Sequence, residues 1–102
     1  MISCVGSLEQ LHLRFAHKER GEIKKDFFEI LSLAGTFSDS SCHLHLTVAD
    51  QEGKTFGGHL LDNNLLYTTA ELVVADLMAL EFSRETDATY GYQELTIAKR
   101  KP

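Results

Sequence analysis

The sequence predicts an α+β, mainly β domain built on a single antiparallel sheet. Three observations lead there. Most of the chain falls into short stretches with apolar residues at every second position, the period of a strand with one face in a core. Short polar or glycine-bearing turns such as Asp62-Asn63-Asn64 separate these stretches. Only one segment, residues 65–82, carries helix-forming composition.

In chain order, residues 2–6 (ISCVG) read as a short buried strand ending at Gly6. Residues 8–16 alternate, with Leu11, Leu13 and Phe15 inward and His12 and Arg14 outward, so His12 is a surface residue. The polar run 16–26 reads as an exposed connection around Gly21. Residues 27–37 (FFEILSLAGTF) are apolar on both faces, which places this strand centrally. Ser38 to Ser41 form a loop.

The stretch His43 to Leu61 predicts a hairpin. Leu44, Leu46 and Val48 lie on one face of its first strand, and His43, His45 and Thr47 on the other. Asp50-Gln51-Glu52-Gly53-Lys54 fits a three-residue loop, with Gly53 at the position that must take positive φ. If Asp50 opposes Lys54, then His45 faces His59, Leu46 faces Gly58 and Val48 faces Phe56. His43 then lies diagonal to His59. Opposed Cβ atoms stand ~5 Å apart and diagonal ones ~7 Å, close enough for three imidazoles to share one cation.

Residues 65–82 leave two readings open. Thr68-Thr69-Ala70-Glu71 matches a capping box and AELVVADLMALEF is rich in helix formers. Leu66, Ala70, Leu72 and Val74 alternating with Tyr67, Thr69 and Glu71 read as a strand instead. Residues 83–91 are turn-like, and Tyr92 to Ala98 form a last strand with Leu95 and Ile97 on one face. An antiparallel sheet with so little covering material leaves an apolar face bare. Either residues 65–82 form a helix over it or a partner chain covers it; oligomerisation is the expectation.

At 102 residues the chain is one domain, 1–102. A hydrophobic share of 43% and a charged share of 25% are those of a soluble globular chain. The net charge of −5 argues against a general nucleic-acid binder, which needs surplus Lys and Arg to displace counterions. Two cysteines, Cys4 and Cys42, are too few for a disulfide scaffold and point to reduced thiols. No apolar run reaches the ~18 residues of a membrane span, and the N-terminus lacks a secretory pattern. A cytoplasmic or nuclear protein is expected, without membrane partners.

The ordered blocks GSL, FEILSLAGT, HLHLTVAD, GKTFGGHLL, YTTAELVVADL and FSRETD…GYQEL give the chain a family resemblance. Over nearly its whole length it resembles the plant and prokaryote conserved (PPC) domain, also described as a PD1-like DNA-binding domain. The resemblance implies a homotrimer built on an antiparallel sheet with helices packed against it, and a TTAE segment in a strand. A methionine stands directly before ISCVGSL, where family members carry a further strand and helix. A PPC-type sheet with that N-terminal strand and helix missing is therefore expected. Plant members that bind DNA carry AT-hooks outside the domain. No R-G-R-P stands here, and the tail KRKP lacks the glycine of such a hook.

His43, His45 and His59 are the candidate metal ligands. Three neutral imidazoles on one face suit a divalent ion, zinc first, with an open fourth position, and they match the family's HxH and GGH blocks. The competing reading is a polar sheet face on which histidine tolerates partial burial. Gly57 and Gly58 indicate a close backbone approach. Glu71 would be a fourth ligand, a partner orienting a histidine or a general base on metal-bound water; its competing role is a carboxylate at a subunit contact. Glu29, inside an apolar strand, is expected to pair with Arg84. Cys42 points away from His43 and is no ligand. No Ser-His-Asp order, phosphate loop or CxxC pair is present. The expectation is an oligomeric module contacting other proteins in a transcription-related or DNA-associated role. The alternative is a small metal-dependent enzyme or ligand binder using the three histidines and Glu71. Direct DNA binding is the weakest reading.

Overall fold

The computed structural model describes residues 1–101. Its elements are strands: β1 (Ser3–Arg14), β2 (Glu22–Lys24), β3 (Phe28–Phe37), β4 (Cys42–Ala49), β5 (Thr55–Leu60), β6 (Leu65–Val73), β7 (Leu80–Thr86) and β8 (Gln93–Lys99). All pairings are antiparallel. No helix occurs among the described residues, so the α component expected from the sequence is not seen in them. Nor is there one sheet alone: β1 to β6 form the main sheet, and β7 and β8 form a separate two-stranded ribbon.

Strand β1 organises the main sheet. On one side it pairs with β2 and then β3; on the other it pairs with β5 and then β6. The two short strands foreseen at its position are one twelve-residue strand, with register shifts at Gly6/Leu8 and Leu8/Gln10. The polar run 16–26 likewise contributes β2, three residues paired to Leu11–Leu13. As its two apolar faces predict, β3 lies between β1 and β4. Pairing of β5 with both β4 and β1 closes the circuit β1–β3–β4–β5 on itself.

Closure supplies much of the cover that a flat sheet would lack. Cys4, Leu8, Leu11, Leu13, Phe28, Ile30, Leu33, Leu44, Leu46 and Val48 form the buried core, with Leu13 and Val48 fully enclosed. Burying side chains of this kind stabilises the fold by roughly 1.5–3 kcal/mol each before chain entropy is counted.

Residues 65–73 are a strand despite their helix propensity. Pairing from Gln10–Leu65 to Ser3–Val73 satisfies their backbone groups over the length of β1, and tertiary pairing outweighs a difference of tenths of a kcal/mol per residue. Among the described residues this strand has no second neighbour. Leu66 and Leu72 lie opposite the buried Leu8 and Cys4, yet are 52% and 50% exposed. The core face thus continues onto β6 without cover.

The expected Glu29–Arg84 ion pair does not form. Glu29 lies on the exposed face of β3, where water solvates its charge, and Arg84 donates a 2.8 Å hydrogen bond to Thr36 Oγ1 instead. No helix of the structure is long and apolar enough to cross a membrane.

Candidate metal centre

The β4–β5 turn forms as its residues dictate. Asp50 and Lys54 close it through a 2.9 Å bond from the Asp50 amide to the Lys54 carbonyl, and Gly53 takes φ 81°. An Asp50 carboxylate oxygen accepts from the amides of Glu52 and Lys54, each at 2.9 Å. These bonds fix the register, which sets His45 opposite His59, Leu46 opposite Gly58 and Val48 opposite Phe56. The buried set Leu44, Leu46 and Val48 faces the core, and His43 and His45 face outward.

Four strands contribute to one row across the outer face. Arg14 on β1 pairs with His59 on β5, His59 with His45 on β4, and His45 with Ala34 on β3. His43, two residues along β4, pairs with Thr36. The imidazole centroids are 5.1 Å apart for His43–His45, 5.3 Å for His43–His59 and 5.9 Å for His45–His59. One ligand nitrogen from each lies within 4.8 Å of the others. Tetrahedral ligands at ~2.1 Å from zinc stand about 3.4 Å apart. Small side-chain rotations cover the difference, and His43 and His45 are exposed and free to make them.

The surroundings favour the neutral form of His43 and His59. Partial burial lowers the His43 pKa, and Arg84, His45 and Arg14 lower it further by charge repulsion. Partial burial also lowers that of His59, followed by Arg14, His43 and His45. A neutral imidazole is the form that binds a metal.

The glycines beside His59 have a structural cause. A Cβ on Gly58 would come within 2.7 Å of the Arg14 carbonyl oxygen, so the close approach of β1 requires glycine there. Glu71 does not join the cluster; it pairs with Val5 on β1 and is exposed. Cys42 is exposed at the rim of a cavity beside His43 and lies outside the group of ligand atoms. Sequence reasoning missed Arg14 and Arg84. Arg14 was legible as outward-facing, but its place beside His59 follows from the β1–β5 closure. Arg84 arrives on a separate ribbon.

Residues 1–78 match the profile of the Plants and Prokaryotes Conserved (PCC) domain. The chain belongs to the PCC-domain family. This is the family that the HxH, GGH and TAE blocks foreshadowed. The PCC chain is similar to a segment of the bifunctional protein GlmU from Synechococcus sp. strain JA-3-3Ab, at 46% identity over 99 residues and 97% of its own length. The GlmU of Synechococcus sp. strain JA-2-3B'a(2-13) is 47% identical over 97 residues, or 95% of the chain. The chain spans only 16% and 15% of those two proteins. Among solved structures, a hypothetical protein from Salmonella cholerae-suis (Salmonella enterica) superposes with a TM-score of 0.93 at 43% identity, covering 96% of this chain and 71% of that one. A candidate DNA-binding protein from Bacteroides thetaiotaomicron has a TM-score of 0.77 at 26% identity, covering 92% and 70%.

Proposed function

We propose that this PCC-domain chain is a binding module that assembles as a homotrimer and holds one zinc ion between His43, His45 and His59. The observation that carries the reading is the convergence of three histidine nitrogens within 4.8 Å of one another. The donor set fits the group: three imidazoles suit zinc and leave a fourth position open. Lowered pKa values at His43 and His59 support it, because proton competition is weak at neutral pH.

Assembly is supported by β6, an edge strand of nine residues with Leu65, Leu66, Tyr67, Leu72 and Val73 each about half exposed. Unpaired edges with apolar side chains are surfaces that proteins cover. A role as a module serving protein partners is supported by the GlmU relatives, in which the matching segment is a small part of a bifunctional chain. The alternative, a small metal-dependent enzyme with Glu71 as general base, would need that carboxylate from outside the cluster, since Glu71 lies beside Val5. Direct DNA binding, suggested by the Bacteroides neighbour, is weighed against by the net charge of −5.

Native mass spectrometry of one purified sample tests both parts. The expected species is a trimer with one zinc per chain, which the His45→Ala/His59→Ala double variant loses while staying trimeric. A monomer, or equally low zinc in both proteins, overturns the corresponding half of the proposal.

A further inference from the structure

Beside the histidines lies a cavity of about 480 Å³, lined by Arg14, Arg84, His43, His59, Tyr92 and Gln93 among others. Its volume is within the range of small-molecule sites. No Asp or Glu lines it, although acidic residues outnumber basic ones by 15 to 10 in the chain. Both arginines are half-buried. Among the described residues the ion pairs are Lys24–Glu22 and Lys54–Glu52, so neither guanidinium has a carboxylate partner. Thr36 Oγ1 accepts one bond from Arg84, which leaves most of its five donors free.

From this we infer that the cavity takes a small oxyanion-bearing ligand, a carboxylate or a phosphate, held by Arg14 and Arg84 beside the metal. A guanidinium is always charged and presents a planar fork that matches both groups. Two half-buried guanidiniums without counter-charge are costly, and an anion between them offsets that cost. The inference deepens the zinc reading and rests on it for one further argument. A divalent ion on three neutral histidines would add two more positive charges to a cavity that no Asp or Glu among the described residues lines. An oxyanion oxygen in the open coordination position would neutralise part of that charge while its other oxygens meet the arginines. Arg84 is steered there by Thr36, the register partner of His43, and Arg14 by its pairing with His59.

Isothermal titration calorimetry of the full chain, metal-free and zinc-loaded, tests this with inorganic phosphate and succinate as separate probes in chloride buffer of fixed ionic strength. Saturable binding of one ligand per chain is expected, tighter in the zinc-loaded form and weakened at least about tenfold by Arg14→Gln or Arg84→Gln, but not by Lys99→Gln. By reciprocity the preferred anion should tighten zinc binding by the same factor that zinc tightens anion binding. Preference for phosphate or for succinate assigns the ligand class. Arg84 lies on the β7–β8 ribbon and takes no part in the β1–β5 pairing, so its variant separates lost binding from lost folding. If neither form of the wild type binds either probe saturably, or if both arginine variants bind as the wild type does, the anion site is overturned. Should zinc fail to bind while the metal-free protein takes the anion through the arginines, the metal reading falls and the anion site stands. Zinc binding without anion binding gives the reverse.

Discussion

Arg14 on β1 lies directly across from His59 on β5, so the pairing that closes the sheet also places one histidine of the candidate metal centre. Fold closure and site geometry therefore share one contact. Gly58 is the residue that permits it.

A side chain at Gly58 should damage both at once. Gly58→Ala puts a Cβ 2.7 Å from the Arg14 carbonyl oxygen, and the strands must separate to admit it. The expected cost is about 1–3 kcal/mol in urea unfolding, the range for overpacking, together with weaker zinc binding. Gly57→Ala is the control, since the atoms nearest its Cβ, the Thr47 hydroxyl oxygen at 3.3 Å and the Leu46 carbonyl oxygen at 3.4 Å, stand much further off. Equal effects of the two substitutions would sink the argument.

Zinc retention should depend on pH in a direction set by partial burial and by the nearby arginines. The pKa values of His43 and His59 lie below the ordinary value of about 6.5. Affinity at fixed free zinc should therefore hold as pH falls to that value and decline below it, as protons displace the metal. Arg84→Gln removes one of the charges that lower His43, so its pKa rises and the decline begins at higher pH. Competition with a chromophoric chelator in chloride buffer between about pH 5 and 8 reads the midpoint. A midpoint unchanged or moved to lower pH in the variant counts against this.

The exposed core face on β6 should hold the assembly together. Leu72→Lys places a charge on a residue opposite Cys4 that is already 50% exposed. Within one chain such a surface change is worth less than about 0.5 kcal/mol. In an oligomer that buries Leu72, the lysine should dissociate it, visible as a lower mass by light scattering at unchanged circular dichroism. A mass identical to wild type would clear β6 of the interface.

Any DNA affinity should be weak and strongly dependent on salt. With 15 acidic and 10 basic residues, the available contacts are phosphate contacts from local clusters such as Lys99, Arg100 and Lys101. Fluorescence anisotropy with duplex DNA should show affinity falling steeply between about 50 and 200 mM salt. Tight binding indifferent to salt would contradict the acidic-surface argument.

The hairpin was the most legible part of the chain because its rules are local. Asp50, Gly53 and the alternation of Leu44, Leu46 and Val48 fix turn, register and facing within nineteen residues, His43 to Leu61. The central place of β3 was legible too, from its two apolar faces. Non-local facts were not. The composition of residues 65–73 left helix and strand open; the family resemblance implied the strand, and the full ladder that β1 offers is the physical reason for it. Glu29 looked like a buried charge because its neighbours Phe28 and Ile30 are apolar, but they turn inward and it turns out. Arg84 reaches Thr36, a residue 48 positions away, and no spacing in the sequence announces that.

That contrast between local and distant pairing has a consequence for how the chain acquires its structure. Ser3 must wait for Val73, whereas His45 and His59 meet across a turn of three residues. Hairpins form in microseconds, and distant pairings pay for loop closure first. The three histidines are thus expected to come together early, while β1 still lacks its later partners. Zinc added at the start of refolding should then raise the folding rate if it binds the site proposed for it, acting as an organiser of the nascent sheet.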